Sequence, residues 1–244
     1  MQGQVTIRFY EELNDFLPPE RRKRDFVQAL KHSGSVKDFI ENIGVPHTEI
    51  DLILVNGMSV DFSYKLQDGD RISVYPVFES VDISSVTRLR PSPLREPRFI
   101  LDQHLGKLAH YLRMLGFDTL YRNDYHDPEL ASVSARDERI LLTCDRRLLM
   151  RKVVSRGYFV RARDPESQLR EVFQRLDLRN AIRPFTRCMD CNGLLEAVDK
   201  EEIIKELPAR TRSEFTEFRR CMQCGKIYWK GSHYDRMQEL IAGL

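Results

Sequence analysis

The stretch FILDQHLGKLAHYLRMLGFDTLYRND (residues 99–124) decides the fold of the central part of this 244-residue chain. Its first residues belong to the run RFIL (98–101), whose three apolar residues predict a strand. Apolar residues then recur at helical spacing between Leu105 and Leu115, and Gly116 is a natural place for the helix to end. DTLYR (118–122) predicts a second strand. The stretch therefore predicts a strand–helix–strand unit, from which parallel sheets are built.

The same alternation continues beyond this stretch. RILLT (139–143) and GYFVRA (157–162) predict two further strands. Helices are expected from 128 to about 138, from about 146, and from 165 to about 178. We therefore expect an α/β domain at residues 98–183 with a parallel sheet flanked by helices.

Acidic side chains follow each of the four predicted strands. In chain order they are Asp102, Asp124, Asp127, Glu129, Asp145 and Asp164. Because parallel strands point the same way, we expect these side chains to converge beyond one edge of the sheet, where open α/β sheets bind ligands.

Clustered carboxylates repel one another unless a cation joins them, and Mg²⁺ or Mn²⁺ is the usual cation. Two such ions can activate water and stabilise a leaving oxygen in phosphodiester cleavage. Residues 97–187 hold 18 basic and 12 acidic side chains, a difference of +6. Lys107, Arg146 and Arg147 are the candidates for holding a phosphate backbone. Solvated arginine-rich helices would give the same charge, so the charge alone does not establish RNA binding.

The five aspartates among these acidic residues also have ordinary structural explanations. Asp127 and Asp164 both precede a proline and are good helix N-caps, and Asp145 could equally cap the next helix. Asp124 could shape a turn. Asp102 is the hardest to explain as a cap, because its helix is expected to begin later. Capping and metal binding are compatible, and the shared position at strand ends is the stronger argument.

Four of the five cysteines form two C-x-x-C pairs, Cys188 with Cys191 and Cys221 with Cys224, separated by 29 residues. Four thiolates suit tetrahedral Zn²⁺, and a shell of four cysteines leaves no open position, so the predicted zinc is structural. The alternative is four unrelated buried cysteines. We expect a zinc ribbon at residues 184–244.

The first part of the chain predicts strands at VTIRFY (5–10), DLILVNGMSV (51–60) and DRISVYPVF (70–78), with a helix capped by Ser35 between the first two. The phrase VNG…VDFSYKLQDGDRISVYP resembles ubiquitin-like β-grasp domains of the ThiS/MoaD type. We expect such a domain at 1–82, followed by a Ser- and Pro-rich linker at 83–97. This part of the chain lacks the Gly-Gly in which sulfur carriers end. A docking or regulatory module that binds a protein partner is therefore expected instead of a sulfur carrier.

The opening stretch, together with RILLTCDRRLL (139–149), resembles the PIN-like nuclease fold, and specifically the family named for the C-terminal domain of the Mut-7 exoribonuclease. Members combine this domain with a C-terminal zinc ribbon, and some have a ubiquitin-like N-terminus, so the resemblance covers nearly the whole chain. It implies RNA hydrolysis with Mg²⁺ or Mn²⁺ held by Asp102, Asp124 and Asp145, the other three carboxylates being weaker candidates. Many relatives have another residue before the last aspartate, so Cys144 needs no catalytic role.

The leading prediction is therefore a metal-dependent ribonuclease. The main alternative is a non-catalytic RNA- or protein-binding adaptor that keeps the PIN-like fold and the structural zinc ribbon. A sulfur-transfer accessory is disfavoured by the missing diglycine, and one phosphatase class by the absence of a D-x-D start at Asp102. The sequence has neither an uncharged apolar stretch of 18 residues nor a secretory signal, so a cytoplasmic protein without a membrane partner is expected.

Overall fold

The computed structural model describes residues 3–30, 34–76, 87, 89 and 96–244. Its strands are β1 (Gln4–Phe9), β2 (Phe26–Ala29), β3 (Ile50–Val55), β4 (Met58–Val60), β5 (Arg71–Pro76), β6 (Phe99–Leu101), β7 (Thr119–Tyr121), β8 (Ile140–Thr143), β9 (Gly157–Phe159), β10 (Leu195–Val198), β11 (Phe218–Cys221) and β12 (Ile227–Trp229). Its α-helices are α1 (Val36–Ile43), α2 (Gly106–Met114), α3 (Asp127–Arg136), α4 (Arg146–Leu149), α5 (Pro165–Arg175), α6 (Lys200–Ile203), α7 (Ala209–Glu214) and α8 (Ser232–Ala242). None of these helices has the length and apolar character needed to span a membrane.

The chain divides into two compact units. The first consists of Met1–Arg95 and His126–Phe159, and the second of Glu96–Tyr125 and Val160–Leu244. The segment His126–Phe159, which we assigned to the α/β domain, thus groups with the N-terminal residues. The predicted linker at 83–97 lies mostly outside the described residues.

The N-terminal part of the first unit is a five-stranded sheet in the order β2-β1-β5-β3-β4. The first and last strands of this sheet in chain order, β1 and β5, pair in parallel at its centre, and the remaining pairs are antiparallel. The β3–β4 hairpin turns at Asn56 and Gly57, which both have positive φ, as a two-residue turn requires. Strand β2 was not predicted. The sheet and α1 share one apolar core, as expected for a β-grasp domain.

The four strands from β6 to β9 pair in parallel within each unit. In the first unit β8 pairs with β9, and α3 and α4 pack against β8. In the second unit β6 pairs with β7, and α2 packs against β7 and α5. The predicted α/β class, with parallel strands flanked by helices, is confirmed.

The C-terminal part of the second unit is a three-stranded antiparallel sheet in the order β10-β11-β12. Cys188, Leu195, Cys221 and Tyr228 form a small buried cluster beside this sheet. Such a core is too small to stabilise a fold by apolar burial alone, and proteins of this size commonly add a metal.

Candidate functional site

Asp102 directly follows β6 and is 5% exposed. Its Oδ1 accepts the backbone N–H of His104 at 2.8 Å, so Asp102 caps the 3-10 turn Gln103–Leu105. We expected the helix to begin too late for capping. The α-helix does begin at Gly106, but the intervening turn gives Asp102 this role as well.

Tyr121 fixes the turn that follows Asp102, a role that no pattern in the sequence predicts. Its hydroxyl donates to the carbonyl oxygen of Gln103 at 3.0 Å. Gly106 permits this approach, because a Cβ there would lie 2.6 Å from the Tyr121 hydroxyl oxygen. The end of β7 therefore helps to position the residues that follow β6.

Asp124 lies on the surface, three residues beyond β7. Its carboxylate forms a two-bond ion pair with Arg122, at 2.9 and 2.7 Å, and its side chain is 63% exposed. The Arg122 guanidinium also lies over the ring of Tyr125, 4.8 Å from the ring centre. Asp124 would have to exchange this arginine for a metal ion in order to act as a ligand.

The expectation that Asp127 is a helix N-cap is wrong. His126 occupies the N-cap position in an extended conformation, and Asp127 is the first residue of α3, with Pro128 second. Both Asp127 and Glu129 lie in the first turn, where the helix dipole favours negative charge. Asp127 also lies 3.8 Å from a guanidinium nitrogen of Arg151. The structure thus gives these two acidic residues ordinary helix-terminal positions.

Asp145 caps α4, as the alternative explanation predicted. Its Oδ1 accepts the N–H of Arg147 at 2.8 Å, and its own N–H donates to Oγ1 of Thr143 at 2.9 Å. The neighbouring Arg146 donates to the carbonyl oxygen of Phe16 at 3.3 Å. Arg147 is exposed, as is Lys107 in the first turn of α2.

Asp164 caps α5, which is also as predicted. Its Oδ1 accepts the N–H of Ser167 at 2.9 Å. Hydrogen bonding from Ser167 holds the pKa of Asp164 below its usual range. Asp164 is therefore ionised at neutral pH whether or not a metal ion is present.

The cysteines predicted to bind zinc come together. The Sγ atoms of Cys188, Cys191, Cys221 and Cys224 all lie within 4.8 Å of one another, with 3.7 Å between Cys188 and Cys224 and 3.4 Å between Cys191 and Cys221. Tetrahedral zinc with Zn–S bonds of about 2.3 Å separates sulfur atoms by roughly 3.8 Å, so the cluster fits the ion. Among the described residues this is the one group of three or more potential ligands at metal-binding distance, and the convergence of the six carboxylates stays a prediction.

Tyr228 supports this cluster from β12. Its hydroxyl lies 3.1 Å from the Sγ of Cys188 and accepts the N–H of Met189 at 3.2 Å. Burial disfavours the Cys188 thiolate, but hydrogen bonds from Tyr228 and from the backbone of Cys191 outweigh it and lower the pKa of Cys188 to about 7. Burial raises the pKa of Cys191 to about 12. The Cys188 thiol therefore ionises more readily than the Cys191 thiol.

Two residues that sequence reasoning missed connect the first cysteine pair to the parallel strands. Arg113 of α2 is 6% exposed and donates to the carbonyl oxygens of Thr119 and Asp190, at 2.9 and 2.6 Å. The side-chain oxygen of Asn192 accepts the N–H of Thr119 at 2.9 Å, and its amide nitrogen donates to Asp118 at 2.8 Å. The first cysteine pair is therefore docked on α2 and β7.

Comparisons with known proteins agree with this architecture. Residues 97–241 match the family model of the Mut7-C RNAse domain, and residues 2–82 match that of the Mut7-C ubiquitin domain. No curated protein and no solved structure matches the chain. The first match covers more than half of the chain, and it includes both the parallel strands and the cysteine cluster. The chain therefore belongs to the Mut7-C RNAse domain family, and it carries a Mut7-C ubiquitin domain at its N-terminus.

Proposed function

We propose that the protein is a metal-dependent ribonuclease that hydrolyses RNA phosphodiester bonds through the carboxylates at the ends of its parallel strands. Membership of the Mut7-C RNAse domain family indicates a nuclease-like function. The observation that carries the proposal to particular residues is the burial of Asp102, which is 5% exposed at the end of β6. The carboxylate accepts the His104 N–H and lies 3.5 Å from Nδ1 of His104, and a bound divalent cation would further offset the cost of burying its charge.

Asp102, Asp124 and Asp145 are the proposed ligands of Mg²⁺ or Mn²⁺, with Asp127, Glu129 and Asp164 in weaker supporting positions. Carboxylate oxygens are the ligands that these hard cations prefer. Bound there, the ion would activate a water molecule and stabilise the leaving oxygen of the RNA. The protein's own contribution is to hold the carboxylates in fixed orientations, which the capping hydrogen bonds of Asp102 and Asp145 support.

Lys107 and Arg147 are exposed and are proposed to hold the phosphates that flank the scissile bond. Arg146 is a weaker candidate, because it donates to the Phe16 carbonyl oxygen. In the cysteine cluster we propose a structural Zn²⁺, which the four converging thiols support. RNA is thus the proposed substrate, and the ubiquitin-like domain suggests a protein interaction in addition.

The test is cleavage of labelled RNA with Mn²⁺ or Mg²⁺ by the full chain and by Asp102→Asn and Asp145→Asn. The matched control is Asp177→Asn, which changes an exposed aspartate at positive φ, where asparagine is well tolerated. We expect metal-dependent cleavage that falls at least about 100-fold in the first two variants and is unchanged in the control. Cleavage that survives both substitutions would place the chemistry elsewhere, and RNA binding without cleavage would favour the adaptor.

A further inference from the structure

Glu49 of the ubiquitin-like domain is a fully buried carboxylate with a partner far away in the sequence. It ends the 3-10 turn His47–Glu49, directly before β3, and is 1% exposed. Its Oε1 accepts the backbone N–H of Phe159, the last residue of β9, at 2.7 Å. Burial of a carboxylate is unfavourable unless it makes such hydrogen bonds, so this contact gives Glu49 a specific role at the end of β9.

This hydrogen bond leads to Asp145 in two further steps. Phe159 lies opposite Thr143 in the parallel pairing of β9 with β8. Thr143 is completely buried, and its Oγ1 accepts the N–H of Asp145 at 2.9 Å. Glu49 therefore fixes the strand end against which the backbone of Asp145 is held.

A second connection reaches Asp145 from its other side. Arg146, the next residue, donates to the carbonyl oxygen of Phe16 in the ubiquitin-like domain at 3.3 Å. The ring of Phe16 packs edge-on against that of Phe159, with 5.4 Å between ring centres and a 67° angle between the ring planes. The ubiquitin-like domain thus contacts the residue that follows Asp145 and the strand beside it.

His47 adds a third connection to the same segment. Its Nε2 lies 2.8 Å from the carbonyl oxygen of Val154, which can only accept, so this nitrogen carries the hydrogen. Its Nδ1 lies 2.6 Å from Oε1 of Glu41 in α1. His47 is 7% exposed, so this bridge ties the approach to β9 to the core of the ubiquitin-like domain.

We propose that Glu49 is a positioning residue of the nuclease site and that the ubiquitin-like domain is a built-in part of that site. Glu49 holds the end of β9, β9 holds Thr143, and Thr143 holds Asp145 in the orientation that metal binding requires. This inference rests on the proposed function, because the catalytic role of Asp145 is itself proposed. The face of the ubiquitin-like domain that carries Phe16 and Glu49 contacts Arg146 and Phe159 of the same chain. A protein partner would therefore have to bind another face of this domain.

The test compares Glu49→Leu, Glu49→Gln and the control Glu20→Leu, which changes an exposed residue of the same domain. Leucine keeps most of the buried volume but cannot accept the Phe159 N–H, whereas glutamine retains an acceptor oxygen. Hydrogen exchange of the Phe159 and Asp145 amides should be about tenfold faster or more in Glu49→Leu. Exchange in Glu49→Gln and Glu20→Leu should match the unmodified protein.

RNA cleavage with Mn²⁺ supplies the functional readout. Because small displacements of reacting groups are costly, kcat should fall about tenfold or more in Glu49→Leu, with KM within about twofold and recovery in Glu49→Gln. Unchanged exchange at Asp145 in Glu49→Leu would overturn the proposal, and so would faster exchange with unchanged kcat. If the unmodified protein cleaves no RNA, the proposed function fails, and the exchange result still decides whether Glu49 orders Asp145.

Discussion

Replacement of Arg113 by methionine tests how the first cysteine pair is attached to the rest of its unit. Methionine has a similar length and shape but no donor. The substitution removes the hydrogen bonds to the carbonyl oxygens of Thr119 and Asp190, at 2.9 and 2.6 Å, and a longer one to Met189 at 3.2 Å. These carbonyl groups then lose a buried charged donor at the junction between α2, β7 and the cysteine cluster.

The expected loss follows from the two shorter hydrogen bonds. A hydrogen bond to a charged group contributes about 1.5–3 kcal/mol, so the pair contributes about 3–6 kcal/mol. Part of this is offset, because a guanidinium is costly to bury and methionine removes that cost. Burial lowers the pKa of Arg113, and the negative charges of the nearby Cys188 and Cys191 thiolates partly oppose this shift. We expect a net loss of about 3 kcal/mol in the free energy of unfolding.

The assay is urea unfolding of the zinc-loaded protein, followed by fluorescence of Trp229, the single tryptophan of the chain and part of β12. The matched control is Arg136→Met, because the Arg136 side chain is 68% exposed and pairs with Asp137 at the surface. Such a pair contributes less than about 1 kcal/mol. If Arg113→Met unfolds within about 0.5 kcal/mol of the control, the reasoning about buried charged donors is refuted.

Three further predictions concern stability and zinc content. Ser35→Ala should lower the free energy of unfolding by about 1 kcal/mol at pH 7. Because hydrogen bonds from Ser35 lower the pKa of Asp38, the part of this loss that depends on the Asp38 carboxylate should be complete above the usual aspartate pKa and should disappear as the pH falls through the lowered value. The part that comes from the Asp38 N–H donating to Ser35 Oγ should remain, and urea unfolding at pH 7 and pH 2.5 measures the difference. Cys224→Ser should remove most of the bound zinc found by elemental analysis, and full occupancy in that variant would contradict the four-thiolate site. Gly116→Ala should lower the free energy of unfolding by more than about 2 kcal/mol in thermal unfolding, because Gly116 has a φ of +94° and the added Cβ would lie 2.0 Å from a backbone oxygen. Gly57 also has positive φ but has open space around it, so the control Gly57→Ala should lower that free energy by only about 1 kcal/mol.

Features encoded by neighbouring residues could be predicted from the sequence. The helical spacing before Gly116 predicted α2, and the Asp-Pro pair at Asp164 predicted the cap of α5. The same pair at Asp127 was misleading, because Pro128 is the second residue of α3 and the N-cap lies one position earlier. A one-residue shift of this kind depends on backbone angles that the residue types alone do not determine.

Features that depend on distant partners could not be predicted. The hydrogen bond from Arg113 to Asp190 spans 77 residues, and that from Phe159 to Glu49 spans 110. An arginine in an amphipathic helix and a glutamate before a strand both have the appearance of ordinary surface residues in sequence. Only the tertiary structure shows that Arg113 and Glu49 are buried, because burial is set by what packs against a residue from elsewhere in the chain.

The same aspartate side chain can cap a helix or turn and bind a metal ion. Asp102 and Asp145 each use Oδ1 to accept a backbone N–H, and an ionised carboxylate has about four lone-pair sites, so capping by itself does not exclude metal binding. The cap also restricts the side chain in advance, which lowers the entropy lost on metal binding. Asn caps helices about as well as Asp, so Asp102→Asn and Asp145→Asn keep the turn and remove the charge. A loss of cleavage in these variants would therefore be a consequence of the missing charge and not of a lost cap.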